Sequence, residues 1–101
     1  MTTEDILNKH KSVIELHALS AAHAIMPTLC KYYTEYVPDE FSVKQYFIDA
    51  IVEATHRAYA NPDCRGESVV LFRFAADVTV SENELKFDLS FKLNGANLRE
   101  I

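Results

Sequence analysis

At residue 61 the hydrophobic period of this chain changes, and that change divides the chain into two kinds of structure. Up to Asn61-Pro62 the apolar residues recur at helical intervals; beyond the loop "NPDCRGE" they alternate. In "VVLFRFAADVTV" the residues Val70, Phe72, Phe74, Ala76, Val78 and Val80 are apolar, while Arg73, Asp77 and Thr79 point the other way. "LKFDLSFKL" repeats the pattern, with Leu85, Phe87, Leu89, Phe91 and Leu93 opposed to Lys86, Asp88, Ser90 and Lys92. Each stretch reads as an amphipathic antiparallel strand, the two joined at "SENE". An α+β fold follows: three N-terminal helices, with a long β-hairpin packed on them.

The helical part, 1–61, has legible starts and stops. Thr2 and Asp5 have capping-box spacing, and Leu7, Ile14, Ala18, Ala21, Ala22 and Ile25 form one stripe behind them. Pro27 lacks a backbone N–H and clashes with the preceding turn, so it either kinks this helix or opens a second one. Leu29 to Val37 is the second helical stretch, ended by the turn "VPDE". "FSVKQYF" then reads as the start of the third, with Ser42 as cap, Gln45 reaching back to it, and Phe41 stapled on Tyr46. From Val43 to Ala60 that helix is apolar around most of its circumference. Such a helix is covered on two sides, which makes it the spine of the fold.

The hairpin part, 67–94, leaves a question of register and one of edges. Pairing Val80 with Leu85 opposes Asp77 to Asp88 and Arg73 to Lys92, whereas pairing Val78 with Leu85 opposes Asp77 to Lys86. Charge therefore favours the second register. Two strands alone are marginal in water and leave long edges. The tail 95–101, with the turn "NG" before it, offers one cover, and a second copy extending the sheet across a two-fold axis offers another. Val69 and Leu71, apolar on the otherwise polar face, fit either a covered edge or burial under the preceding loop.

Composition bounds the function classes. With 101 residues, half of them hydrophobic, the chain is expected to fold as one domain, 1–101. Its formal charge of −5 opposes binding to nucleic acid or an anionic membrane, and a basic face would have to be built from Lys9, Lys11, Lys31 and Lys44. No secretory leader and no membrane-spanning run is read, so a cytoplasmic location is expected, with Cys30 and Cys64 as thiols.

Candidate chemistry is sparse. "EATH" gives Glu53 and His56 the Glu-x-x-His spacing of carboxylate-bridged metal sites, but the further ligands such sites need are missing at that spacing. A solvated strip with Glu53 paired to Arg57 accounts for it. His10 with His17, and His23 with Cys30, are seven apart, without the closer paired ligands of a zinc site. Cys64 beside Arg65, with His56 upstream, suggests a nucleophile, yet Asp63 opposes the thiolate. No catalytic, cofactor or metal site is expected.

Tyr32, Tyr33, Tyr36 and Phe41 surround the "YVPDEF" turn and form the candidate partner-binding surface, although core filling would produce the same composition. The expectation is a non-enzymatic interaction protein acting as a small acidic homodimer on another protein. Adaptors, chaperones and inhibitors, including phage-encoded or mobile-element ones, share its size and charge. The alternative is a small enzyme or ligand-binding domain with a pocket near Glu53, His56 and Cys64.

Overall fold

A computed structural model describes residues 2–93 and 96–100, with side chains described through Lys92. Three helices, α1 (Thr3–Lys9), α2 (Lys11–Tyr32) and α3 (Glu40–Ala60), precede four strands, β1 (Arg65–Val70), β2 (Phe74–Ser81), β3 (Glu84–Leu93) and β4 (Ala96–Glu100). The strands form one antiparallel sheet in the order β1-β2-β3-β4. The expected α+β fold, helices first and antiparallel sheet packed on them, is what the chain adopts.

Helix α3 is the spine. Val43, Phe47, Ala50, Ile51, Ala54, Thr55 and Ala58 are buried, and it packs against α2 on one side and against β1 and β2 on the other. Thr55 is tolerated there because its hydroxyl donates to the Ile51 carbonyl at 2.7 Å. The sheet's inner face supplies Phe74, Ala76, Val78, Leu85, Leu89 and Phe91 to the same core.

The Thr2 capping box forms: Thr2 Oγ1 accepts from the Asp5 N–H at 3.2 Å, and the Asp5 carboxylate accepts from the Thr2 N–H at 3.0 Å. That second bond holds the Asp5 carboxyl below its usual range. The first break, however, falls at His10 and not at Pro27, which lies inside α2. Pro27 and His23, whose carbonyl loses its usual partner, are both exposed, so the missing bond faces solvent. Buried Ile25 and Leu29 hold the helix on either side of it. Consequently α2 ends at Tyr32, and the expected helical stretch from Leu29 to Val37 is cut short by the connection 33–39.

The cap of α3 is also displaced. Asp39, extended as an N-cap residue is, accepts the Ser42 N–H at 2.7 Å, so the helix begins one turn before the Ser42 cap expected from the sequence. A carboxylate at that end opposes the positive pole of the helix, which a hydroxyl does less well. Phe41 is thereby placed in the first turn facing solvent under Lys44, 4.9 Å from its ring centroid. The expected staple is absent, because Tyr46 packs on Phe74 at 5.1 Å. Gln45 donates forward to Asp49 at 3.1 Å.

Two corrections concern the sheet. The stretch 69–80 is not one strand: a tight turn at 71–73, closed by the Arg73 N–H to the Val70 carbonyl at 3.1 Å, separates β1 from β2. The register is the one that charge disfavoured, with Val80 opposite Leu85, Asp77 opposite Asp88 and Thr79 opposite Lys86. Glu82 and Asn83, with φ of 50° and 65°, form a two-residue turn whose geometry sets that register. It also sets Phe74 edge-on to Phe91 at 5.4 Å. The expected Arg73–Lys92 repulsion does not arise, since Arg73 sits in the turn and its guanidinium leaves the sheet for Tyr32.

Strand β4 covers the β3 edge, and Asn94-Gly95 lies outside the described residues. At the other edge, the carbonyls of Arg65 and Glu67 accept from the side chains of Asn61 (2.6 Å) and Arg57 (2.7 Å). A further strand adding at β1 would have to displace both.

Candidate functional site

Glu53, His56 and Cys64 are not assembled into a site. Glu53 binds Arg57 at 2.9 Å, the solvated pair expected from their spacing. His56 is exposed, and Cys64 is exposed in a left-handed conformation, φ 57°, at the turn into β1. Neither side chain takes part in a hydrogen bond among the described residues. A groove of about 530 Å³ opens nearby, but it is lined by Arg57, Asn61, Asp63, Arg65, Glu67 and Asp77. Half of these groups already brace the edge: Arg57 and Asn61 hold carbonyls, and Asp63 accepts the Arg65 N–H at 3.1 Å.

The histidines are likewise spent on structure. His10 lies 3.0 Å from the Ile6 carbonyl and 3.4 Å from the Glu84 carboxylate, clipping the α1–α2 junction to the β2–β3 turn with help from Lys9. His10 and Lys9 together hold the Glu84 carboxyl below its usual range. His17 sits edge-on to Phe87 at 5.2 Å, and His23 Nδ1 is 2.8 Å from Glu40. Among the described residues no group of His, Cys, Asp and Glu is arranged to hold a metal ion.

The outer face of the sheet carries one electrostatic cost. Glu67 stands opposite Asp77, and Asp77 opposite Asp88, so three carboxylates form a row across three strands. Partial burial raises the Asp77 pKa, and the neighbouring Glu67 raises it further. Because the folded value is raised, the penalty develops as pH climbs through that value and is absent in acid, where Asp77 is protonated folded or unfolded. Asp77→Asn should therefore stabilise the fold by up to about 1 kcal/mol at neutral pH. Urea unfolding should show this gain shrinking as the pH is lowered through the carboxylate range; a gain independent of pH would rule ionisation out as its cause.

The aromatic zone divides between core and surface. Tyr32 is half-buried, edge-on to Tyr33 at 4.8 Å and to Phe91 at 6.0 Å. Tyr33 also packs on the core, whereas Tyr36 and Phe41 are largely exposed. What the sequence reading missed lies beside Tyr32. Arg73 donates to the Tyr32 hydroxyl at 2.7 Å and spreads over its ring at 5.4 Å, which ties the β1–β2 turn to the end of α2.

The two central residues of that turn are Leu71 and Phe72, both left-handed, with φ of 54° and 60°. They are 57 % and 86 % exposed, Phe72 being the most exposed large apolar side chain described. The corresponding turn between β2 and β3 uses Glu82-Asn83, the ordinary polar solution. The only sequence signal for the tip was Leu71, apolar on the polar side; no Gly, Asn or Pro marks a turn there. Arg73 joins the tip to Tyr32, which with Tyr33 and Tyr36 lines a shallow groove at the end of α2. In comparisons with known proteins, the chain matches no family model, no curated protein and no solved structure.

Proposed function

We propose that this chain is a non-enzymatic protein–protein interaction protein of the adaptor, chaperone or inhibitor kind, docking through Leu71, Phe72, Arg73 and the neighbouring tyrosines. The observation that carries the reading is the β1–β2 turn. A bulky residue held left-handed costs roughly 1–2 kcal/mol, and here two adjacent ones bear that cost while facing solvent. Asparagine and glycine would relieve it. Retaining leucine and phenylalanine makes sense where the side chains are buried by something outside the chain. An exposed apolar knob with an arginine and tyrosines beside it has the composition of an interface hot spot.

The test is the variant Leu71→Asn/Phe72→Gly, which installs the preferred turn residues. It should raise the melting temperature by several degrees, a gain of about 1 kcal/mol being worth about 4–8 °C in a domain of this size. Immobilised wild-type protein should retain a protein from a lysate of the source cells that the variant loses. A variant that is less stable, or that retains the same proteins as wild type, would remove the basis of the proposal.

A further inference from the structure

The brace on the β1 edge covers only half of it. The Cys64 carbonyl accepts the Val80 N–H and the Val70 carbonyl accepts the Arg73 N–H, so the even-numbered residues of β1 face β2. Successive residues of a strand aim their backbone groups to opposite sides, so those of Arg65, Glu67 and Val69 face outward. The Leu71 N–H, trans to the Val70 carbonyl, faces outward as well. Asp63 and Asn61 engage both backbone groups of Arg65, and Arg57 engages the Glu67 carbonyl. There the brace stops. Among the described residues nothing bonds the N–H groups of Glu67, Val69 and Leu71 or the Val69 carbonyl.

The open half is also the apolar half. Val69 is 40 % exposed and Leu71 57 %, and they lead directly into the tip. Edge strands are ordinarily shielded by charge, proline or a covering segment, and here the shield ends where the apolar side chains begin. A row of backbone donors and acceptors at strand spacing is what another extended chain matches. We infer that the partner docks an extended segment as one more strand along Glu67 to Leu71. The inference rests on the docking reading above and adds to it the form of the partner.

Charge and burial set the sequence of that segment. Glu67, Asp77 and Asp88 form a row across the sheet, and a strand added at β1 places its own residue at the end of that row, beside Glu67. Among the described residues Glu67 makes no ion pair: Arg65 lies beside it on the same face, while Arg57 bonds its carbonyl and pairs with Glu53. A lysine or arginine fits there. Residues opposite Val69 and Leu71 fall at alternate positions on that face and are apolar. In the antiparallel direction that the other strands of this sheet follow, the segment reads apolar-x-apolar-x-basic.

The probe is the acetylated and amidated peptide Val-Thr-Val-Thr-Lys, titrated into isotopically labelled protein and followed through the backbone amide signals by NMR. It should bind with a Kd of about 1 mM or tighter, shift the Glu67, Val69 and Leu71 amides and slow their hydrogen exchange. Val69→Pro removes an outward N–H without breaking the ladder to β2, and edge strands tolerate proline. It should weaken binding at least about 10-fold with the circular dichroism spectrum unchanged. Glu67→Lys, at an exposed position, should weaken binding of the lysine peptide about 2–5-fold and bind Val-Thr-Val-Thr-Glu more tightly than wild type does. That charge exchange decides the matter if the proline variant does not fold. Unmoved amide signals at the three positions, or equal binding of both peptides by both proteins, would overturn the inference. So would a wild-type mass by light scattering that grows with concentration and is lost in Val69→Pro, since a second copy would then occupy the edge. If Val69→Pro still retains the lysate protein that Leu71→Asn/Phe72→Gly loses, the docking reading stands and strand pairing falls. If both variants retain it, both readings fall.

Discussion

Gly66→Ala is expected to cost about 3 kcal/mol, the upper end of the usual range for overpacking and a large share of the roughly 5–15 kcal/mol that holds a domain of this size together. Gly66 sits on the inner face of β1 where the strand crosses the end of α3. A β-carbon built there would overlap the Ala54 carbonyl oxygen and lie 2.5 Å from the Ala58 nitrogen and 3.1 Å from its Cα. Those atoms are helix backbone, and they move only if the whole of α3 moves. The glycine is needed for the closeness of approach and not for a special backbone angle, as its pairing with Val78 in an ordinary ladder shows. The separation of α3 from the sheet would also disturb Arg57 and Asn61, which reach from α3 and its end to the β1 carbonyls. Urea unfolding followed by circular dichroism measures the loss directly. Near-native stability would show that strand and helix can part locally, and that this contact is not tight.

Phe74→Ala is expected to cost about 3–5 kcal/mol, the range for emptying a large aromatic site in a core. Phe74 is fully buried, with Phe47 at 5.3 Å, Phe91 at 5.4 Å and Tyr46 at 5.1 Å, so one side chain joins α3, β2 and β3. Removing it leaves three aromatic neighbours without their shared partner. At about 4–8 °C per kcal/mol, the melting temperature should fall by more than about 10 °C. Phe74→Leu should recover much of the loss. A double-mutant cycle with Phe47→Ala should show coupling, because the two rings share the same site. Two residues upstream, replacing Phe72 should stabilise the protein. Opposite signs at positions so close, both apolar and both on the alternating pattern, would separate a side chain that the fold uses from one that it carries at a cost.

That contrast also marks how far the sequence was legible. Helix against strand was readable because the hydrophobic period is a local property with a large aggregate effect: a face of six apolar residues buries only one way. The role of α3 was readable for the same reason, its apolar residues covering too much of the cylinder to face water. The Thr2 box could be read because both its bonds lie within four residues.

Most of the candidate site was not legible. Tyr32 and Tyr36 are both tyrosines beside one turn, and only the packing of Tyr32 against Phe91 and Arg73 sends one inward and leaves the other out. The tip hid because the apolar even positions Val70, Phe72 and Phe74 run straight through it and its residues are among the least expected in a left-handed turn. Register failed for a reason of magnitude: one Asp77–Asp88 repulsion is worth at most about 1 kcal/mol, less than the edge-to-face phenylalanines and a tight turn supply together.

By itself, then, the sequence determined the elements that a buried face imposes: the helices, the alternating strands and the spine between them. Tertiary structure alone decided where the chain turns at Leu71–Phe72, which acid caps α3, and that Pro27 continues a helix. Each of those choices turns on a local preference of about 1–3 kcal/mol, small enough for long-range packing to override.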